Sequence, residues 1–308
     1  MMTLVEAAKL TTDQLLAGVL ELLVKDDPIL PRLPFMEIQG NGWTYNREST
    51  MPTVDWHDDG DEWHEDSPTF TQATAVLKIL GGDVDISEFQ KATRSNINDI
   101  RQENIQAKIK AMQWEFNDAF FYGNATSNPK QFDGCHTLIN STTYNTVLAG
   151  ATTGTALSLA KLDELIDLLK VKPDFLVTTK KVRRLITTYL RSVGSINTDR
   201  DEFGKQVMMY GDGIPLLTSE YLLNTELPSS GAFSAKTGGN AASIFAFKFG
   251  PKMMTGLQVG SVKVEPIGAL EMKDAERVRV KWYVSMAMPS LISCGKLDGI
   301  LTTSAVTA

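Results

Sequence analysis

Ser95-Asn96-Ile97-Asn98-Asp99-Ile100-Arg101 opens a long run that closes at Phe120-Phe121-Tyr122-Gly123-Asn124 and passes into Asn128-Pro129-Lys130-Gln131-Phe132-Asp133-Gly134. Within it, Ile105, Ile109, Met112, Phe116 and Phe120 fall at spacings of four, three, four and four. That spacing draws one apolar stripe along an α-helix, and the stripe has to be buried. Asn96, followed three residues later by Asp99, is a start signal, and Gly123 is expected as a left-handed stop. Residues 94–122 would make a helix about 43 Å long. Such a length suits a structural beam and leaves no concave site of its own.

Upstream lies a second unusual element. Residues 44–70 form a polar stretch with Trp56 and Trp63 inside it and Trp43 just before it. A loop this long inside a compact domain is a ribbon, a lid or a disordered segment, and the tryptophans argue against disorder. On the return side Ala73, Ala75, Leu77 and Ile79 alternate with Thr74, Val76 and Lys78, a strand pattern expected to close at Gly81-Gly82. The expectation is a long two-stranded arm.

The arm, the long helix and the Tyr-Gly-Asn…Asn-Pro-x-x-Phe-Asp-Gly turn follow one another in the order seen in tailed-phage major capsid proteins of the HK97 fold, which this chain resembles over nearly its whole length. Asn41-Gly42-Trp43-Thr44-Tyr45-Asn46 resembles the family's rising E-loop strand. Residues 94–122 resemble its spine helix, and Phe132-Asp133-Gly134 the turn after it. Pro173-Asp174-Phe175-Leu176-Val177, the basic helix that follows, and Gly213-Ile214-Pro215-Leu216-Leu217 resemble its A-domain. The resemblance implies an α+β fold with an N-terminal arm (1–35), an E-loop hairpin (36–85), a P-domain with the spine helix (86–150), an A-domain of mixed sheet and helices (151–260), and C-terminal strands returning to both (261–308). It also implies a self-assembling icosahedral shell of pentamers and hexamers around double-stranded DNA. The partners implied are a scaffolding protein, a portal, a decoration protein and packaged DNA held without sequence specificity, and the place is the virion capsid, assembled in the host bacterial cytoplasm. An encapsulin-like compartment that encloses an enzyme cargo is the alternative on the same fold.

The bulk numbers agree with a structural role. The chain has 308 residues, 43% hydrophobic and 22% charged, enough for a substantial core and two lobes. A formal charge of −7 argues against a protein devoted to gripping nucleic acid. Cys135 and Cys294 have neither disulfide-framework nor metal spacing and read as buried thiols. The N-terminus lacks a signal-peptide layout, and no apolar run reaches membrane-spanning length. Leu15, Leu16, Val19, Leu20 and Leu23 mark a helix over 12–25, and Pro28, Pro31 and Pro34 then favour an extended path. This stretch is either an arm reaching a neighbour or a helix packed on its own domain.

Further along, the composition of 137–154 reads as a linker and that of 225–240 as an exposed loop. Ser158 is placed to cap a helix carrying Leu162, Leu165, Ile166 and Leu169. The clearest strand has Val278, Val280, Trp282, Val284, Met286 and Met288 on one face, with Arg277, Arg279, Lys281, Tyr283 and Ser285 on the other.

Charge is concentrated. Between Tyr45 and Phe70 stand Glu48, Asp55, Asp58, Asp59, Asp61, Glu62, Glu65 and Asp66 against Arg47 alone, so eight acids and one base give this loop the whole net charge of −7. Such a segment repels itself unless a basic surface or a cation meets it. Two basic surfaces are candidates: Arg94, Arg101 and Lys108, seven residues apart on the long helix, and Lys180, Lys181, Arg183 and Arg184 on the later one. The expected inter-subunit contact uses Trp56, Asp58, Asp59, Asp61, Glu62 and Trp63, with Met51 as a further insert.

Other chemistries find little support. Asp55, His57, Asp59, Gly60 and Asp66 occupy EF-hand positions, but His stands at position three, Asp at twelve, and Pro52 and Pro68 where helices should be. His57 and His64 are poorly placed for zinc. No phosphate loop, zincin motif or nucleophile elbow is present, so no catalytic residue, metal or cofactor is expected. Some members of the family crosslink through an E-loop lysine. This chain has none between Lys25 and Lys78, so a non-covalent shell is expected.

Overall fold

The computed structural model describes residues 27–94, 100–150, 154–194, 197–200, 206–229 and 232–307. The helix expected at 12–25 and the start signal at Asn96 and Asp99 lie outside them.

The arm is an antiparallel pair, β2 (Gly42–Thr50) and β3 (Thr69–Val76), in a sheet of its own. Trp43 faces Ala75 and Tyr45 faces Ala73. Threonine pairs bridge the strands at Thr44–Thr74 (3.0 Å) and Thr50–Thr69 (2.6 Å). Between the strands, 51–68 contains no helix or strand.

The chain then changes sheets at Leu77. β4 (Lys78–Ser87) runs straight through Gly81-Gly82, so the expected stop there is a continuation. The glycine is required by close approach: a Cβ on Gly81 would lie 2.4 Å from the Val280 carbonyl oxygen. β4 pairs along β15 (Ala275–Ala287), from Lys78 opposite Val284 to Ser87 opposite Ala275. The sheet is completed by β14 (Lys263–Ala269), β13 (Thr255–Gln258) and β1 (Phe35–Glu37). β13 therefore belongs to this sheet, although it falls within the 151–260 expected for the other lobe.

Two helices follow β4: α1 (Glu88–Arg94) and α2 (Ile100–Tyr122). Residues 95–99 lie outside the described residues, and the spine as described from Ile100 to Tyr122 is 23 residues, about 34 Å. Its apolar stripe is buried as the periodicity requires. Met112, Phe116 and Phe120 are in the core and Ile105 and Ile109 pack on it. Phe116 lies 5.0 Å from Trp282 of β15 and Phe120 lies 5.7 Å from Phe247.

Gly123 ends α2, but not in the left-handed conformation. A Cβ there would meet the carbonyl oxygens of Phe132 at 2.4 Å and Ala119 at 2.5 Å. Gly134 donates its amide to the Gly123 carbonyl at 2.8 Å, so two glycine backbones touch where the chain doubles back into α3 (Cys135–Leu138). The Asn124 and Asp133 side chains organise the intervening turn by accepting from Thr126, Ser127 and Ala125 amides.

The second lobe is a seven-stranded mixed sheet in the order β5 (Thr146–Leu148), β16 (Gly295–Leu301), β12 (Ala241–Phe247), β6 (Phe175–Thr178), β9 (Ile214–Thr218), β8 (Gln206–Tyr210), β7 (Asn197–Arg200). β5 lies inside the expected linker: Val147 and its neighbours pair in parallel with β16. The expected 225–240 loop likewise holds a hairpin, β10 (Leu227–Ser229) with β11 (Ala232–Ala235). Helices α4 (Leu159–Leu168) and α5 (Lys180–Val193) bury Leu162, Leu165, Val182 and Ile186 against one face. The other face of β12 turns Phe245 and Phe247 into the core shared with α2, which explains why that strand is apolar on both sides.

A candidate inter-subunit surface and the buried joint behind it

The tip of the arm is a local turn. Asp61 donates its amide to the Asp58 carbonyl at 3.2 Å, and its carboxylate accepts the Asp58 amide at 2.8 Å. Gly60, at φ +101°, supplies the conformation this turn needs. Asp66 closes the base of the loop, accepting from the Thr53 hydroxyl (2.6 Å), the Thr53 amide (2.9 Å) and the Ser67 amide (2.8 Å). Those bonds, the Thr53 hydroxyl first, hold its carboxyl below the ordinary range. Asp58, Asp59, Asp61 and Glu62 are all exposed.

Exposure of the large apolar groups is the unusual feature. Trp56 is fully accessible and Trp63 is 83% accessible, its indole 4.6 Å from the His57 ring, with Met51, Val54 and Phe70 also open. Two tryptophans left in water on one loop mark a surface of the kind that partners cover. Midway along the strands Arg47, the arm's single Lys or Arg, donates to the carbonyls of Met288 and Pro289, the latter at 2.9 Å, and stacks over Tyr45. The arm is thus pinned along its strands, below the exposed tip.

The two basic surfaces behave differently. Arg101 forms an ion pair with Glu276 of β15 at 3.2 Å, and the Lys108 side chain lies over Gly82 of β4, its Cε 2.5 Å from where a Cβ would stand. Both are engaged by their own subunit's sheet. The α5 cations divide: Lys180 pairs with Glu220, Lys181 donates to the Thr302 hydroxyl at 2.9 Å, and Arg183 and Arg184 are exposed.

On the outer face of the first sheet the polar alternation of β15 becomes a ladder of ion pairs. Arg277 is bidentate on Asp85 (2.6 and 2.8 Å), Arg279 is bidentate on Asp83 (2.7 and 2.9 Å), and Lys281 meets Glu265 at 2.6 Å. The guanidinium hydrogen bonds hold Asp83 and Asp85 below the ordinary carboxylate range.

Where α2 meets the second sheet lies a buried polar joint that periodicity alone did not mark. The Tyr122 hydroxyl donates to Glu226 Oε1 at 2.7 Å and accepts the Leu223 amide at 2.9 Å. His136 Nε2 lies 3.3 Å from the same Glu226 oxygen. Ser243 Oγ is 2.5 Å from both Glu226 Oε2 and Asp298 Oδ1, and the Lys296 ammonium is 2.9 Å from Asp298 Oδ2. Burial pushes the Asp298 carboxyl up, but Lys296, His136 and the Ser243 hydroxyl outweigh it and keep it low. Burial, then the Glu226 charge, raises the Tyr122 phenol.

His136, Glu226 and Asp298 offer donor atoms within 4.8 Å of one another. The Lys296 ammonium already fills the place of a cation there, so the set fits an internal salt bridge better than a metal. Its signal in the sequence was Lys296-Leu297-Asp298: two charges on one face of a strand whose other residues are apolar. Cys135 and Cys294 are buried free thiols pushed up by burial, Cys294 to about 11.

Residues 7–221 match the family described as SU10 major capsid protein. Among curated proteins no sequence matches. Among solved structures, the chain is similar to the holo-SrpI encapsulin complex of Synechococcus elongatus PCC 7942, at TM-score 0.65 and 17% identity over 96% of each chain. It is similar to the capsid of the native GTA particle, at 0.63 and 13% over 92% of this chain and 95% of that one. It is also similar to the capsid of the cyanophage P-SCSP1u, at 0.58 and 15% over 95% and 94%. At these identities the structures speak to the fold.

Proposed function

The chain belongs to the SU10 major capsid protein family, and from that premise we propose that its acidic arm joins each subunit to the next, without covalent bonds, in the head of a tailed phage. The protein is a structural shell subunit of the HK97 fold. The observation that carries the arm's role is the tip itself: Trp56 and Trp63 in water, four exposed acids between them, and strands pinned below them by Arg47. The interior of the subunit has no use for any of them. A contact repeated around every capsomer makes weak pairs count together.

In this reading the shell encloses double-stranded DNA without sequence specificity and is assembled in the host bacterial cytoplasm. It works with a scaffolding protein, a portal and a decoration protein. The buried joint is structural in this reading, because it lies beneath the surface and its charges pair within it, Lys296 with Asp298 and the Tyr122 and Ser243 hydroxyls with Glu226.

A second reading keeps the shell and changes its content. The likeness in fold to an encapsulin supports a compartment for a protein cargo. Negative-stain microscopy of the expressed protein tests the shell, and analysis of the purified particles separates the readings. Nucleic acid of genome length supports the phage head, and a single co-purifying enzyme supports the compartment.

A further inference from the structure

The helix α5 reads Lys-Lys-Val-Arg-Arg-Leu-Ile-Thr-Thr-Tyr-Leu-Arg-Ser-Val, five cations and no carboxylate. Its orientation is fixed by Val182 and Ile186, which are fully buried. At about 100° per residue, Arg184 and Arg191 then point roughly opposite to that buried pair, with Arg183 beside them. All three are exposed. None of the three makes an ion pair with a described residue, whereas Lys180 and Lys181 are held by Glu220 and Thr302. The four-residue cluster visible in the sequence thus resolves into two lysines used internally and an outward stripe that gains Arg191.

The stripe needs an anionic partner, and this chain carries one. The loop between Tyr45 and Phe70 holds −7, and its acids Asp58, Asp59, Asp61 and Glu62 are exposed around two exposed indoles. The rival basic surface, Arg101 and Lys108, is already occupied by β15 and β4. We propose that Arg183, Arg184 and Arg191 form the seat for the arm tip of a second copy of this chain. The acids pair with the guanidinium groups, and Trp56 and Trp63 lie across the arginine planes. The contact is heterologous, arm of one copy on helix of the next, so it propagates around a closed ring. The proposal rests on the reading that the arm crosses to a neighbour, and its test separates the two.

The experiment compares full-length shells of the wild type, an α5 reversal (R184E/R191E), an arm reversal (D58R/D61R) and the combination, by the concentration at which subunits assemble at fixed salt. Each reversal alone is expected to raise that concentration about tenfold or more, and the combination to return it to within about threefold of wild type. Rescue by the combination supports the seat, because misfolding of either variant would persist in it. If the arm reversal weakens assembly and the α5 reversal does not, the arm still crosses but its seat is elsewhere, and the proposal is overturned. If neither reversal matters, the crossing itself falls too. If the α5 reversal assembles normally and its particles hold less nucleic acid, the stripe serves the packaged polymer, which also overturns the proposal.

Discussion

The Tyr122 hydroxyl donates to Glu226 Oε1 at 2.7 Å, fastening the last turn of the spine helix to the strand-rich lobe. The phenol oxygen in turn accepts the Leu223 amide, so one phenol serves both a buried carboxylate and a buried backbone group. Tyr122→Phe keeps the ring stacked on His136, 5.2 Å away, and removes both bonds. Leaving these groups unsatisfied costs about 1–3 kcal/mol. The expected result is a thermal unfolding midpoint lower by several degrees, with the fold preserved by circular dichroism.

The joint also sets an acid limit. Asp298 has its carboxyl lowered from the ordinary 3.8, so its contribution is complete above that value and is lost as pH falls through the folded value. Asp83 and Asp85 act in the same direction. Stability measured by denaturant should be flat from neutrality to about pH 4 and fall below it. Asp298→Asn should flatten part of that fall. At neutral pH it should cost about 3–5 kcal/mol, because it leaves the Lys296 ammonium buried without its counter-charge.

Gly123 and Gly194 look alike in sequence, each following a helix, and differ in physics. A methyl at Gly123 collides with two carbonyl oxygens, whereas Gly194 is left-handed at φ +75° with open space around it. Gly194→Ala should cost about 1–2 kcal/mol, the strain of that conformation. Gly123→Ala should cost more and yield mainly insoluble protein, since backbone rather than a flexible side chain must move. Solubility and unfolding midpoints of the two variants check the order.

Arg101 tests whether the spine stripe serves its own subunit. Arg101→Glu sets a carboxylate against Glu276, and the paired change with Glu276→Arg restores the attraction. Both groups are partly exposed, so the expected loss is about 1 kcal/mol. It should appear in dissociated subunits as well as in shells, and the double variant should recover it. A loss confined to shells would place the partner of Arg101 on a neighbour.

Elements built on periodicity were legible in the sequence: the apolar stripe of α2, the alternation of β15, the paired strands of the arm. Two features were not. The basic stripe of α2 is a candidate surface by its seven-residue spacing, but at about 100° per residue Arg101 lies within roughly 60° of Ile105, Met112 and Phe116. It had to sit at the rim of the buried side. Gly81 and Gly123 read locally as punctuation, whereas each marks a close backbone approach, which depends on a partner strand or turn that local sequence does not specify. Glu226 and Ser243 were invisible for the same reason: their partners lie on other elements, 17 or more residues away.

A shell held without covalent links should come apart completely. The arm has no lysine between Lys25 and Lys78 to act as a crosslinking nucleophile. Boiling purified particles in detergent should give one band near 33.9 kDa. A ladder of multiples would contradict the non-covalent arm.

The most direct measurement is a cryo-electron microscopy reconstruction of assembled particles. The account predicts closed icosahedral shells of pentamers and hexamers in which residues 51–68 of each copy lie ordered against the adjacent copy, with Trp56 and Trp63 buried. Shells whose arm tips remain in solvent, or a purified chain that stays monomeric and forms no particles, would contradict it.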